Sequence, residues 1–282
     1  MKGDGQPSGP ARADAAAHLT TGAGSSKGVE NPLVSIVTVT FNDLEALRET
    51  IKSVRCQDFP DMELLVIDGA SRDGTREFLE ALDMPKLRWI SEPDGGIYDA
   101  MNKGLRLARG EYVYFLNAGD SLLEPTSMSR IAELLIERPA LLMNKVRVMK
   151  DSAFATYPTT DHAANARSAF QSAYCHQAAV AQRAAYLAAG GFDLSYPHFA
   201  DFKALWTIRS AHPDRYRQTT LEIADFDLNG VSSDWRHSVK LAAERERLLR
   251  ELGEGSSFIA HSLRLLHAWL YMVRMSIRQR LT

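Results

Sequence analysis

Residues 33–40 read Leu-Val-Ser-Ile-Val-Thr-Val-Thr, and the period of the chain changes directly after them, at Phe41-Asn42-Asp43. A short run dominated by β-branched residues and bounded by turn formers marks a strand buried on both faces. From Asp43 onward Leu44, Leu47, Ile51 and Val54 recur at helical spacing, with Asn42 or Asp43 placed to cap the first turn. The alternation then repeats. Residues 62–67 (MELLVI) read as a second buried strand, 75–82 as a helix, 87–90 as a short strand, 97–108 as a helix ending before Gly110, and 111–116 (EYVYFL) as a fourth strand. Strands alternating with helices of about ten residues define βαβ units, and so an α/β fold with a mostly parallel central sheet flanked by helices.

In such sheets ligands bind beyond the carboxyl ends of the strands. That rule selects four polar segments, 40–42, 68–74, 91–96 and 117–120, which should lie along one edge. Beyond them the pattern predicts a helix over 127–137, a strand over 141–149 and an aperiodic loop over 152–170. A strand over 174–180, a short helix over 183–189 closed by Gly190-Gly191, a helix over 199–208 and a late strand over 219–224 follow. Two C-terminal helices are expected, a charged one over 238–252 and an amphipathic one over 258–281.

Composition narrows the function classes. The 282 residues carry 33 Lys+Arg against 35 Asp+Glu, a net charge of −2, which argues against a nucleic-acid partner. A hydrophobic fraction of 45% excludes disorder of the whole chain. No stretch approaches the ~18 apolar residues of a spanning helix, and residues 1–10 lack the apolar core of a secretion signal. Cys56 and Cys175, far apart, suit neither a disulfide scaffold nor a structural zinc site. A cytoplasmic protein is therefore expected. Residues 1–30, rich in Gly, Ala, Ser and Thr, read as a disordered tail, 31–232 as one α/β domain, and 233–282 as a helical segment.

Two of the edge segments could carry chemistry. In Asp68-Gly-Ala-Ser-Arg-Asp-Gly-Thr75 the glycines allow a tight turn, and Asp68 and Asp73 could accept hydrogen bonds from a base or ribose. The alternative is an Asx-turn capping the helix from Thr75. No Gly-Lys-Ser/Thr follows, and the first strand does not run into GxGxxG, so neither a Walker loop nor a Rossmann dinucleotide site is expected. In Asn117-Ala118-Gly119-Asp120 the carboxylate could hold a divalent cation against a diphosphate, or the four residues could form a plain type I turn.

VSIVTVTFN, then LLVIDGASRDGT, then EPDGGIYDAMNKGLRLARGEYVYFLNAGD resemble, in order and spacing, the family 2 glycosyltransferases of GT-A fold, and within them the bacterial subgroup that builds exopolysaccharide, capsule or O-antigen units. The resemblance covers about residues 32–230 and is most specific over 92–120. It implies an inverting glycosyltransferase using a nucleoside-diphosphate sugar, UDP-linked, a divalent cation (Mg²⁺ or Mn²⁺), and a glycan or lipid-linked acceptor in surface polysaccharide synthesis. By resemblance Thr40, Phe41 and Asn42 line the nucleoside pocket, Asp68 accepts from the base, and Ser71 and Asp73 lie nearby. Asn102 and Lys103 fall where the family carries an Ala-Arg-Asn element that contacts the donor, but here the tripeptide is Ala100-Met101-Asn102 and the arginine is missing.

A second departure concerns the cation. The family's Asp-x-Asp, often followed by a further Asp, is here Asn117-Ala118-Gly119-Asp120, which leaves Asp120 as the metal ligand and Asn117 on ribose or a coordinated water. The family's catalytic base aligns with Asp201, whose neighbours Ala200 and Phe202 are apolar, so a raised pKa is expected. Capping the following helix is the alternative role for Asp201, and Asp193 in the Gly-Gly-Phe-Asp turn is the reserve base. His176 and Gln177 are expected on the donor-sugar or acceptor side, with a core histidine as the alternative.

The final helix carries Arg264, Arg274, Arg278 and Arg280 and no acid, with Leu263, Leu266, Trp269, Leu270, Val273 and Ile277 at helical spacing. Such a helix suits either peripheral contact with an anionic membrane at the inner face of the cell membrane or packing on protein. A competing function is a catalytically silent nucleotide-sugar-binding or scaffold protein. A sugar-nucleotide pyrophosphorylase is disfavoured, because the glycine-rich triphosphate loop after the first strand is absent.

Overall fold

The computed structural model describes residues 20–21, 31–150, 153–157, 166, 174–226 and 238–254. Among them ten strands form one sheet: β1 (Thr20–Thr21), β2 (Val34–Thr40), β3 (Met62–Asp68), β4 (Leu87–Ser91), β5 (Tyr112–Phe115), β6 (Ser121–Leu122), β7 (Leu141–Lys150), β8 (Ala153–Tyr157), β9 (Ala179–Gln182) and β10 (Tyr216–Phe226). The longer helices are α1 (Leu44–Arg55), α2 (Thr75–Ala81), α3 (Ile97–Leu107), α4 (Ser127–Leu135), α5 (Arg183–Ala188), α6 (Ala200–Ala211) and α7 (Ser238–Glu251).

The spatial order is β1-β4-β3-β2-β5-β9-β7-β10-β6, with β8 on the outer half of β7. Strands β4, β3, β2 and β5 are mutually parallel. β2 and β3 are buried at all seven positions, as expected for strands covered by helices on both faces. The chain leaves β2 toward β3 and β4, then returns to its other side at β5. This reversal opens a crevice at the carboxyl ends of β2 and β5, the place where open α/β sheets bind ligands. Beyond β5 the direction alternates, with β9 antiparallel to both β5 and β7, and β10 parallel to β7.

Helical periodicity explains which faces are covered. α1 buries Leu47, Ile51 and Val54 against the sheet, and α3 buries Ala100, Met101, Gly104 and Leu105. At Gly104 an added Cβ would stand 2.3 Å from Val37 Cγ1, so only glycine lets α3 lie this close to β2. At the opposite, amino edge, buried Glu63 accepts from Ser35 Oγ (2.6 Å), Arg88 Nη1 (2.7 Å) and the Arg109 amide (2.7 Å). That network ties three strands at the end away from the crevice.

Three sequence expectations are corrected. Residues 174–180 do not form one strand: His176–Ala178 make a 3-10 turn, and the strand begins at Ala179. The turn is held by side-chain bonds of His176 to other elements, which no local pattern encodes. Within 152–170, read as a loop, β8 pairs antiparallel with β7, a register supplied by the hairpin partner rather than by period. Within 1–30, Thr20–Thr21 pair with Trp89 and Arg88 of edge strand β4, too short a segment to show a period. The rest of that tail and the amphipathic helix over 258–281 lie outside the described residues.

Candidate active site at the carboxyl edge of the sheet

The first wall of the crevice is built by the ends of β2, β3 and β4. Thr40 closes β2 with a buried Oγ1 that has no hydrogen-bond partner, and the Phe41 ring next to it is 64% exposed. Gly69 donates its amide to Thr40 O (2.9 Å). A Cβ on Gly69 would stand 2.7 Å from Asp94 Oδ2 and 3.1 Å from Phe41, so an aromatic face and a carboxylate flank bare backbone here. Asp94 lies inside the 91–96 segment that the edge rule selects, but the sequence alone offers no reason to single it out.

Asp68, Ser71, Asp73 and Asn42 are joined to one another and to their neighbours by hydrogen bonds. Asp68 is fully buried and accepts from the Ser71 amide and hydroxyl and from Ser91 Oγ (2.6 Å). Its carboxylate organises its own loop. Ser71 Oγ accepts from the Asn42 amide (2.7 Å), and Asn42 Oδ1 accepts from the Arg72 amide (2.8 Å). Asp73 accepts from the Leu44 amide (2.8 Å) and from Thr75 Oγ1 (2.6 Å), tying together the starts of α1 and α2. These bonds, the Thr75 hydroxyl first, hold the Asp73 carboxyl below its ordinary range although burial opposes them. These are the bonds of the Asx-turn and capping alternative, and the four residues shape the loop that carries Phe41.

Asn102 and Lys103 are likewise engaged. Asn102 donates to Phe192 O (2.8 Å) and accepts from the Phe192 amide (2.9 Å), clamping α3 to the Gly190-Gly191 turn. Lys103 Nζ bonds Pro93 O (2.7 Å) and Glu92 (2.9 Å), and so secures the 91–96 loop. Both side chains thus have partners within the protein.

The loop after β5 forms the second wall. Thr50 of α1 donates its hydroxyl to Asp120 O (2.7 Å) and accepts from the Gly119 amide (3.1 Å), which fixes the turn. Gly119 has φ +97, in the left-handed region that favours glycine. Asp120 is buried, with Oδ2 accepting from the Asn117 amide (3.2 Å). Beside it Asn117 Oδ1 is buried and lacks a hydrogen-bond partner. Among the described residues no group of three or more His, Cys, Asp or Glu could hold a metal. The oxygens present, the Asp120 carboxylate and the orphaned Asn117 Oδ1, are of the kind a hard cation takes when a diphosphate and water complete its shell.

From this wall a hydrogen-bonded chain runs to Asp201. Asn117 Nδ2 lies 2.9 Å from His176 Nε2, and His176 Nδ1 lies 3.0 Å from Asp201 Oδ2. Tyr98 Oη stands 2.9 Å from the other carboxylate oxygen, Oδ1, and 2.9 Å from His198 O. Burial drives the Asp201 carboxyl upward, but the bond and charge of His176, the Tyr98 hydroxyl and the Phe202 amide outweigh it. The result is a value below the ordinary 3.8. The expected raised pKa is thus corrected: burial comes with partners that favour the charged form. Its place in the first turn of α6 also suits a negative charge. Burial pushes the adjacent Cys175 thiol up to about 12, so it stays protonated.

Asp193, the reserve candidate, is engaged in an anchoring pair. It accepts from the Ser195 amide (2.9 Å) and pairs with Lys203 (2.8 Å), which lowers its carboxyl to about 2. Gln177 contributes its carbonyl, which accepts from Tyr114 Oη (3.0 Å). A further set of anchors comes from α7. Glu244 accepts from the amides of His198 (2.9 Å) and Phe199 (3.1 Å) and pairs with His198 Nδ1 (2.8 Å), just before α6 begins. Tyr98, His198 and Glu244 are site residues that sequence reasoning missed. Tyr98 sits inside the recognised 92–120 stretch, but the other two carry no local signal.

The β-α alternation and the reversal between β2 and β5 define an α/β fold whose ligand edge lies at the carboxyl ends of those strands. The sequence model described as Glycosyl transferase family 2 matches residues 35–187, more than half of the chain, and the chain belongs to that family. It is 42% identical over 105 residues to an uncharacterised glycosyltransferase of Mycobacterium tuberculosis, covering 37% of this chain but only 40% of that relative. It is 33% identical over 176 residues to a PGL/p-HBAD biosynthesis glycosyltransferase of Mycobacterium bovis, covering 61% of this chain and 67% of the relative. In structure it is similar to Staphylococcus aureus TarS in complex with UDP-GlcNAc (TM-score 0.57, 17% identity, 75% of this chain and 66% of that one). It is similar also to a mannosyltransferase of Pyrobaculum calidifontis in complex with GDP-Man and Mn²⁺ (TM-score 0.56, 17% identity, 86% and 70%). At these identities the structural likeness is one of fold.

Proposed function

We propose that the chain transfers a sugar from a nucleoside-diphosphate sugar, UDP-linked, to a glycan or lipid-linked acceptor in bacterial surface glycan synthesis, with inversion at the anomeric carbon. The observation that carries this reading is the single imidazole that joins Asn117, at the cation end of the crevice, to Asp201 at the acceptor end. The TarS and Pyrobaculum complexes with UDP-GlcNAc and GDP-Man support the donor class, and the mycobacterial relative supports a glycan or glycolipid product.

In this reading Phe41 offers its exposed face to the base, and Thr40 Oγ1 and Asp94 lie beside it to bond the nucleoside. Asp120, with Asn117 Oδ1, would hold a Mg²⁺ or Mn²⁺, which when bound stabilises negative charge on the departing diphosphate. Asp201, ionised, accepts the proton of the acceptor hydroxyl as that oxygen attacks the anomeric carbon. Tyr98 keeps its proton, because burial and then the Asp201 charge hold its phenol well above the usual range.

A test is release of UDP or GDP from UDP-glucose, UDP-galactose, UDP-GlcNAc and GDP-mannose by the full chain with Mg²⁺ or Mn²⁺. Turnover of at least one UDP-sugar is expected. Binding of UDP with no turnover of any donor would overturn the enzymatic reading in favour of a silent nucleotide-sugar-binding protein.

A further inference from the structure

The buried chain Asn117–His176–Asp201–Tyr98 has a direction. An amide nitrogen only donates, so Asn117 Nδ2, 2.9 Å from His176 Nε2, makes that ring nitrogen an acceptor. A proton of the ring then resides on Nδ1, which faces Asp201 Oδ2 at 3.0 Å. His176 is 7% exposed, and the Asp201 side chain 13%. Neither has bulk water to replace a lost partner. The second carboxylate oxygen is occupied by Tyr98, itself 8% exposed. Two donors from two different elements therefore fix the plane of the Asp201 carboxylate.

We infer that His176 is a positioning residue for the proposed base. Asn117 selects the Nδ1–H tautomer, and His176 uses that proton to orient the Asp201 carboxylate toward the acceptor hydroxyl. The inference rests on the reading of Asp201 as the base. It also gives a reason for the amide at 117. An aspartate there would place an acceptor at Nε2 and draw the ring proton, or a second proton, to that side. With Asn117 the ring proton stays on the side that faces Asp201.

Two substitutions separate positioning from mere filling of space. In His176→Asn the amide nitrogen takes the place of Nδ1 and keeps the bond to Asp201. In His176→Gln it takes the place of Nε2 and loses that bond. Donor turnover by the full chain, using the UDP-sugar that it consumes fastest with Mn²⁺, should fall about 10²-fold in kcat for His176→Gln. It should stay within about tenfold for His176→Asn, with the donor KM of both within about threefold of the parent. Equal losses in both variants, or a loss confined to KM, would overturn the inference.

A readout independent of turnover is the long-range ¹H–¹⁵N spectrum of the His176 ring. A protonated Nδ1 and an unprotonated Nε2 are expected, with the Nδ1 signal displaced in Asp201→Asn. A protonated Nε2, or signals indifferent to Asp201→Asn, would contradict the inference. Should Asp201→Asn itself turn over donor normally, the assignment of the base fails, whereas the ring tautomer would still report on the His176 bond.

Discussion

His176 Nδ1 and Asp201 Oδ2 meet at 3.0 Å although 25 positions separate the two residues along the chain. Tyr98, 103 positions from Asp201, closes on the other carboxylate oxygen at 2.9 Å. The candidate base is thus gripped by the turn before β9 and by the first turn of α3, while its own backbone belongs to α6. A third element, α7, secures the approach to α6 through Glu244. The carboxylate is buried without being neutralised, a combination that only specific partners allow.

The pH dependence of turnover follows from those partners. The groups facing Asp201 are His176 and Tyr98 by direct bonds, with Tyr186, Cys175 and the Glu244–His198 pair close by. The net effect is a depressed carboxyl pKa, so the competent, ionised form persists as the medium is acidified and is lost only when pH falls through the depressed value. The acid limb of kcat/KM should therefore lie below about pH 4, the ordinary aspartate value. A limb near pH 5–6 would show that burial prevails over the His176 and Tyr98 bonds.

Asp120→Ala removes the only carboxylate of the loop after β5. UDP affinity measured calorimetrically in Mn²⁺ should fall on the order of tenfold and become insensitive to the cation, because the remaining oxygens are amide or phosphate. UDP binding that still strengthens with Mn²⁺ as in the parent would move the cation elsewhere.

Gly119→Asp restores the family's second acid in sequence but not in shape. At φ +97 a side chain costs roughly 1–2 kcal/mol, so a lower melting temperature is expected, shared by Gly119→Ala. No gain in Mn²⁺-dependent UDP binding should accompany it. An aspartate variant as stable as the parent and with tighter Mn²⁺-dependent binding would show that the loop adapts.

The layout of the fold was legible because its signals are local. β2 and β3 are apolar runs buried on both faces, and α1 and α3 carry their apolar positions at helical spacing, so the order of elements and the ligand edge can be read directly. The edge rule selected the 117–120 turn that carries Asp120, whereas Asp201 came only from the family resemblance. What stayed hidden depends on pairs distant in sequence. Asp68 faces Ser91, Asn102 clamps Phe192, and Glu244 holds His198, at separations of 23, 90 and 46 residues. No local pattern shows that such a polar side chain is already occupied. For the same reason the Asp201 pKa was expected on the wrong side: apolar neighbours at 200 and 202 are visible in sequence, whereas Tyr98 and His176 are not.

The central claim is that Asp201 takes the acceptor proton in a crevice that binds the nucleotide without it. The most direct measurement is parallel UDP binding and donor turnover for the parent and Asp201→Asn, both with Mn²⁺. The account predicts UDP affinities within a few fold of each other and a loss of turnover of about 10²–10⁴-fold in the variant. Turnover by Asp201→Asn at the parent's rate would contradict it.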